Sequence, residues 1–185
     1  MNPRTIGVLA VQGGFRSHVR AVEEIGHRAI EVRTPKEMEG IDGLVLPGGE
    51  STAQLKLIGE MGLERSLRRL VSEKRPIFAT CAGLILIAQD VCLPVQSSFG
   101  FLDVGVTRNA FGTQLDSFEA LSDGPDDPLP LVFIRAPRIH RVGSGVEVLA
   151  RYQGEPILVR QGSVTAATFH PELGTDRRVH RMVFG

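Results

Sequence analysis

The sequence predicts an α/β fold: a doubly wound, mostly parallel sheet with helices on both faces, plus an added antiparallel β section. Three observations carry this. Short apolar runs alternate with helical patterns through the first half, as in parallel sheets covered on both faces. After Asp90 the texture changes to β-type segments punctuated by Pro and Gly. The turn signals QGE at Gln153 to Glu155 and QGS at Gln161 to Ser163 join successive β runs, which places hairpins in the second half.

Element by element, TIGVLAV reads as the first strand and Phe15 to Ile25 as an amphipathic helix stopped by Gly26. RAIEVR and GLVLP follow as strands, and Ser51 to Lys74 as a helical stretch broken near Gly62. PIFAT is a fourth strand that runs into a helix from Ala82 to about Gln89. The later β segments are VGVT, LVFIRAP, VEVLARY, PILVRQ and VTAATF. SDGPDDPLP, Ser122 to Pro130, is too rich in Pro and Asp for a regular element and reads as a surface loop. In such a fold, function belongs at the carboxyl ends of the strands.

With 185 residues, the chain has enough length for one well-buried core, and a split would leave two marginal halves, so residues 1–185 are expected to form a single domain. Lys plus Arg equals Asp plus Glu at 21 each, and no basic stripe is present, which argues against nucleic acid as a partner. Apolar runs are too short to span a membrane, and MNPRTIGVLA lacks the pattern of an export signal. A cytoplasmic location is expected. In that compartment the two cysteines, Cys81 and Cys92, read as core thiols or nucleophiles rather than as a disulfide.

Three strand ends carry chemistry. LPGGEST, Leu46 to Thr52, sets a Gly-Gly turn before a helix that Ser51 or Thr52 would cap. Such a turn leaves backbone N–H groups open to an anion or oxyanion, yet it is also common as plain punctuation. Cys81 stands where PIFAT meets the following helix, beside the small residues Ala82 and Gly83, which would keep its approach open. It reads as a nucleophile elbow or as a buried thiol. In TFHPEL, His170 and Glu172 are two apart and share a side of an extended stretch, the base-and-orienter pair that a thiol nucleophile needs. His18, His27, His140 and His180 read as surface or structural residues. No paired His or Cys spacing suits zinc, so no metal is expected.

PGGES, ATCAG and HPE, in that order, resemble the motifs of class I glutamine amidotransferases, a family of flavodoxin-like architecture. IGVLAVQGGFRSH, RNAFGTQLDSFEA and VFIRAP narrow the resemblance to the glutaminase subunits of pyridoxal 5′-phosphate synthases. The similarity covers nearly the whole chain. It implies that Cys81 attacks the side-chain amide of L-glutamine, that His170 is base and then acid, and that Glu172 orients His170. A γ-glutamyl thioester is then hydrolysed, giving glutamate and ammonia.

The same resemblance implies an oxyanion hole from the N–H groups of Gly49 and Ala82, and glutamine binding by Gly49, Glu50, Ser51, Arg108, Ile134 and Arg135. Both arginines also read as ordinary surface or loop-anchoring residues. No cofactor is implied. The implied partner is a barrel-shaped synthase in a large double-ring complex, met through residues near Gln12 and Gly13. Two other readings stand beside this one: a different cysteine hydrolase of the same architecture, and a non-catalytic regulatory subunit. Cys92 and the compact Val91 to Phe99 segment depart from the pattern, and the resemblance would place two or three further helical turns after Gly185.

Overall fold

Strand β1 (Thr5–Leu9) shows why the sheet is covered on both faces. Ile6 and Val8 point into one buried cluster, and Leu9 into another on the opposite side. The same alternation runs through β3 (Gly43–Leu46) and β4 (Ile77–Thr80): Val45 and Phe78 join the first cluster, and Leu44, Leu46, Ile77 and Ala79 the second. Helices α1 (Phe15–Glu24) and α5 (Arg178–Phe184) close the first face with Val22, Val179 and Phe184. Helices α2 (Ser51–Glu60), α3 (Glu64–Ser72) and α4 (Ala82–Ile87) close the second with Ile58, Leu67 and Leu84.

The computed structural model describes residues 2–108, 117–124 and 127–185. The string from Asn109 to Asp116, and Pro125 and Asp126 of the Pro- and Asp-rich loop, lie outside the described residues.

The remaining strands are β2 (Arg28–Val32), β5 (Ala88–Cys92), β6 (Leu102–Thr107), β7 (Phe118–Leu121), β8 (Pro130–Phe133), β9 (Arg138–Val142), β10 (Glu147–Tyr152), β11 (Glu155–Gln161) and β12 (Val164–Ala167). The main sheet has the order β10-β11-β12-β4-β3-β1-β2. Its five strands from β12 to β2 are parallel, while β10 and β11 run antiparallel as hairpins through the QGE and QGS turns. Small sheets β5-β6-β9 and β7-β8 complete the added β section. Chain order reverses between β1 and β3, and at that switch point the loops after neighbouring strands diverge and leave a crevice.

Several expectations need correction. The helix after Cys81 ends at Ile87, where Ala88 turns extended (ψ 151°) and opens β5, which pairs in parallel with β6. VTAATF is no appendage: β12 lies inside the main sheet, parallel to β4. Strands β7 and β9 were not expected, because their half-exposed sequences FEAL and RIHRV show no apolar run. The break near Gly62 separates α2 from α3, with Gly62 at φ +66°. Among the described residues no helix is long and apolar enough to cross a membrane.

Candidate active site

Four strand ends meet at one cleft of about 560 Å³. The loop after β1 brings Gln12, the loop after β3 brings Gly48 to Ser51, the end of β4 brings Cys81, and the turn after β12 brings His170 and Glu172. Arg108, Ile134 and Arg135 complete the wall. Ten of the twelve residues singled out in the sequence therefore line one cavity; Gly13 and Ala82 lie beside it in the chain.

Cys81 has φ +47° and ψ −102°, a region that L-residues avoid. The surroundings hold it there: its N–H donates to Ala167 C=O on β12, and its C=O accepts from Ile85 N–H in the first turn of α4. The sulfur is 3.9 Å from the Ile134 carbonyl oxygen. Both cysteines are free thiols, and Cys92 is half-buried beside the Thr107 hydroxyl, outside the cleft. Gly83 serves packing rather than access, since a β-carbon there would collide with the Leu46 carbonyl oxygen and α4 could not sit on β3.

His170 and Glu172 occupy a turn, not the extended stretch expected: Leu173 N–H donates to His170 C=O at 3.3 Å. The turn brings His170 Nδ1 within 2.7 Å of Glu172 Oε1, so Nδ1–H donates to the carboxylate and Nε2 is left facing the reaction side. Arg177 braces it from below, donating to the carbonyls of Pro171 and Gly174 and pairing with Glu24. Burial alone would lower the His170 pKa, but hydrogen bonding and charge at Cys81 Sγ and the Glu172 carboxylate outweigh it and raise it to about 10. Against the same burial penalty, the neighbouring His18 and His170 and a backbone N–H hold Glu172 at about 2. The pair is an imidazolium and a carboxylate at neutral pH.

The Gly-Gly turn is tied to the first loop. Gly48 C=O accepts from Gly14 N–H at 2.9 Å, and Glu50 N–H donates to Gln12 Oε1 at 2.9 Å. A β-carbon on Gly49 would collide with Gln12 Oε1, and one on Gly13 with the Gly48 carbonyl oxygen. Helix α2 is capped by Glu50 rather than by Ser51 or Thr52: its carboxylate accepts from Thr52 N–H at 3.1 Å and Ala53 N–H at 2.6 Å. The Ser51 and Thr52 hydroxyls instead donate to Gln96 Oε1. Arg108 reaches over this cap, 3.3 Å from Glu50 Oε1. Arg135 is exposed with φ +43°, on the turn that presents the Ile134 carbonyl.

Sequence reasoning missed Gly48 and His18. Gly48 sits against His170 and Cys81, where a β-carbon would lie 3.4 Å from Cys81 Cβ and collide with His170 Cε1. His18 and His180 were read as surface or structural, and both are fully buried behind the turn, with His18 Nε2 3.3 Å from Glu172 Oε2. The signal for His18 was its spacing: with Ala21 and Val22 it forms the buried stripe of α1.

A thiol beside an imidazole that a carboxylate orients, set in a cleft with a Gly-Gly turn in its wall, suits nucleophilic attack on a carbonyl carbon. Known proteins point the same way. The chain is 52% identical over 187 residues to the pyridoxal 5′-phosphate synthase subunit PdxT of Parafrankia sp. (strain EAN1pec), with 98% of this chain and 92% of that one covered. It is 51% identical to the PdxT subunit of Koribacter versatilis (strain Ellin345), with 96% and 92% covered. A crystal structure of a glutamine amidotransferase superposes with a TM-score of 0.91 at 47% identity, covering 97% of this chain and 96% of that one. Matched from residue 8 to residue 184, the chain belongs to the SNO glutamine amidotransferase family.

Proposed function

We infer that this protein is the glutaminase subunit of a pyridoxal 5′-phosphate synthase, hydrolysing L-glutamine to L-glutamate and ammonia. The observation that carries the reading is His170 held between Cys81 and Glu172 in the cleft. Cys81 Sγ, its proton passed to His170, attacks the amide carbon. The Gly49 and Ala82 N–H groups receive the developing oxyanion. His170 gives its proton to the departing ammonia, leaving a γ-glutamyl thioester. Neutral His170 then takes a proton from water, the hydroxide adds to the thioester carbonyl, and the C–S bond breaks to release glutamate. Arg108, with Glu50 and Ser51 beside it, meets the charged end of glutamine at the cleft mouth, where a guanidinium suits the α-carboxylate. Ile134 and Arg135 line the same cleft and complete the glutamine site.

Ammonia freed into water would be protonated and lost, so the reaction belongs beside an acceptor. The proposed acceptor is the synthase subunit of a pyridoxal 5′-phosphate synthase, a barrel assembled in a double ring. Gln12 and Gly13 are the residues through which its docking reaches the oxyanion site, since Gln12 holds Glu50 N–H and the next loop residue, Gly14, holds the Gly48 carbonyl. The test is ammonia release from glutamine by the purified chain, with and without the synthase. Release that rises with the synthase and vanishes in Cys81→Ala, which still binds the synthase, is expected. Equal rates with and without the synthase would remove the coupling, and turnover by Cys81→Ala would remove the nucleophile.

A further inference from the structure

Behind the triad lies a buried polar chain that the mechanism above does not use. His18 Nε2 is 3.1 Å from Thr80 Oγ1 and 3.3 Å from Glu172 Oε2, the latter off the line of a regular hydrogen bond. On its other side, His18 Nδ1 is 3.2 Å from His180 Nε2. Phe78 fixes both rings, meeting them edge to face at 6.0 and 5.3 Å between centroids. All of these side chains are buried, on α1, α5, β4 and the turn after β12, four elements that only the fold brings together.

The hydrogen positions follow from the charges. Glu172 uses Oε1 to hold His170, and its Oε2 is buried with no aligned hydrogen bond among the described residues. A buried carboxylate oxygen calls for a donor, and His18 Nε2 stands 3.3 Å from it. With the proton on Nε2, His18 Nδ1 is an acceptor and takes the Nε2–H of His180. His180 Nδ1 is then a bare acceptor, which agrees with its burial without a partner among the described residues. The opposite tautomers would aim the His18 lone pair at the carboxylate.

Both histidines stay neutral. Burial holds each below its ordinary pKa, and the cationic His170 (for His18) and Arg177 (for both) push the same way against the pull of Glu172. A neutral donor stabilises the Glu172 carboxylate without placing a second cation against the His170 imidazolium.

We propose that His18, fixed in its tautomer by His180, is a positioning residue for Glu172, extending the Cys81-His170-Glu172 triad by two neutral imidazoles. The role rests on the glutaminase reading, and its failure is separable from the failure of that reading. His18→Phe keeps the ring and removes the donor; His18→Gln returns an amide N–H near the position of Nε2. In the complex with the synthase, folded His18→Phe loses kcat on the order of tenfold, the low end for a hydrogen bond to a charged group because the contact is off line. KM for glutamine stays within about twofold of the parent, and His18→Gln recovers most of the loss.

In a Glu172→Gln background His18→Phe adds no further loss, because both act through the same carboxylate. Parental kcat in folded His18→Phe, or a loss that multiplies in the Glu172→Gln background, would overturn the role. Should His18→Phe not fold, His180→Leu removes the donor that fixes the tautomer; a loss on the order of threefold or more is expected, again absent in the Glu172→Gln background. A parental rate in folded His180→Leu is then the overturning result. Cys81→Ala, assayed in parallel, separates the two readings: turnover there removes the triad itself, whereas its loss beside parental histidine variants removes the role of His18 alone.

Discussion

Gly48 lies against the His170 imidazole, so close that a β-carbon would collide with Cε1 and stand 3.0 Å from Nδ1. The first glycine of the turn therefore sets the position of the ring, while the second, Gly49, carries the proposed oxyanion N–H. Gly48→Ala has no strained φ to oppose it, and its cost falls on the site. The ring is pushed off the line between Cys81 and Glu172, and a displacement of that size lowers kcat on the order of a hundredfold. Stability falls by about 1–3 kcal/mol, the usual cost of overpacking. A glutaminase assay beside a thermal melt checks both; parental kcat in the alanine variant would show that the ring has room to spare.

Gly83 and Gly59 both lie in helices, yet substitution by alanine has opposite signs at the two. At Gly83 the new methyl group meets the Leu46 carbonyl oxygen, with its carbon 2.9 Å away, and backbone cannot swing aside. Separation of α4 from β3 outweighs the helix-propensity gain of about 1 kcal/mol, for a net loss of about 1–3 kcal/mol. A β-carbon on exposed Gly59 of α2 would meet nothing within 4 Å among the described residues outside its own helix backbone, so Gly59→Ala stabilises by up to about 1 kcal/mol. Urea denaturation of the two variants measures the difference, and a Gly83→Ala variant as stable as the parent would contradict the close approach.

Cys81 at φ +47° stores strain that the fold maintains for the sake of the sulfur. Cys81→Ala keeps the β-carbon and the strain, whereas Cys81→Gly removes both. The glycine variant is expected to be more stable than the alanine variant by about 1 kcal/mol, the reverse of the usual order at a buried position. Paired melts decide it, and an alanine variant of equal or higher stability would show that the elbow is relaxed.

Much of this site was legible in the sequence because its parts sit at strand ends. Leu46, Thr80 and Ala167 close apolar runs, so the residues after them had to share one edge of the sheet. Strand β9 was not legible: RIHRV shows no alternation, and its pairing with β6 is what makes it a strand. The Glu50 cap was hidden because Ser51 and Thr52 are the better intrinsic caps, and only the reach of Gln96 turns their hydroxyls elsewhere. His18 showed its buried face in the spacing of α1, but its partners, Glu172 and His180, are far away in the chain, and nothing local distinguishes a histidine that faces a carboxylate from one that fills a core.

Buried histidines and a buried carboxylate also set how stability responds to pH. His180 has a pKa of about 3 in the fold against 6.5 when exposed, and His18 is lowered as well, so between pH 6.5 and 3 the unfolded chain binds protons that the folded chain refuses. Stability falls across that window as pH falls, by up to about 1.4 kcal/mol per pH unit for His180, and His18 acts in the same direction. Glu172, at about 2 in the fold and 4.5 outside it, acts in the same direction: its contribution is present above pH 4.5 and lost as pH falls through 2. His170 acts in reverse. With its pKa raised from 6.5 to about 10, its contribution is full below pH 6.5 and lost as pH rises through 10. Stability due to these groups is therefore highest near pH 6.5. His180→Leu should lower the acid-side slope between pH 6 and 4 by about one proton, read from urea midpoints at several pH values. His170→Ala should flatten the alkaline side instead. An acid slope that His180→Leu leaves unchanged would mean that water reaches the imidazole pair and lets it charge within the fold.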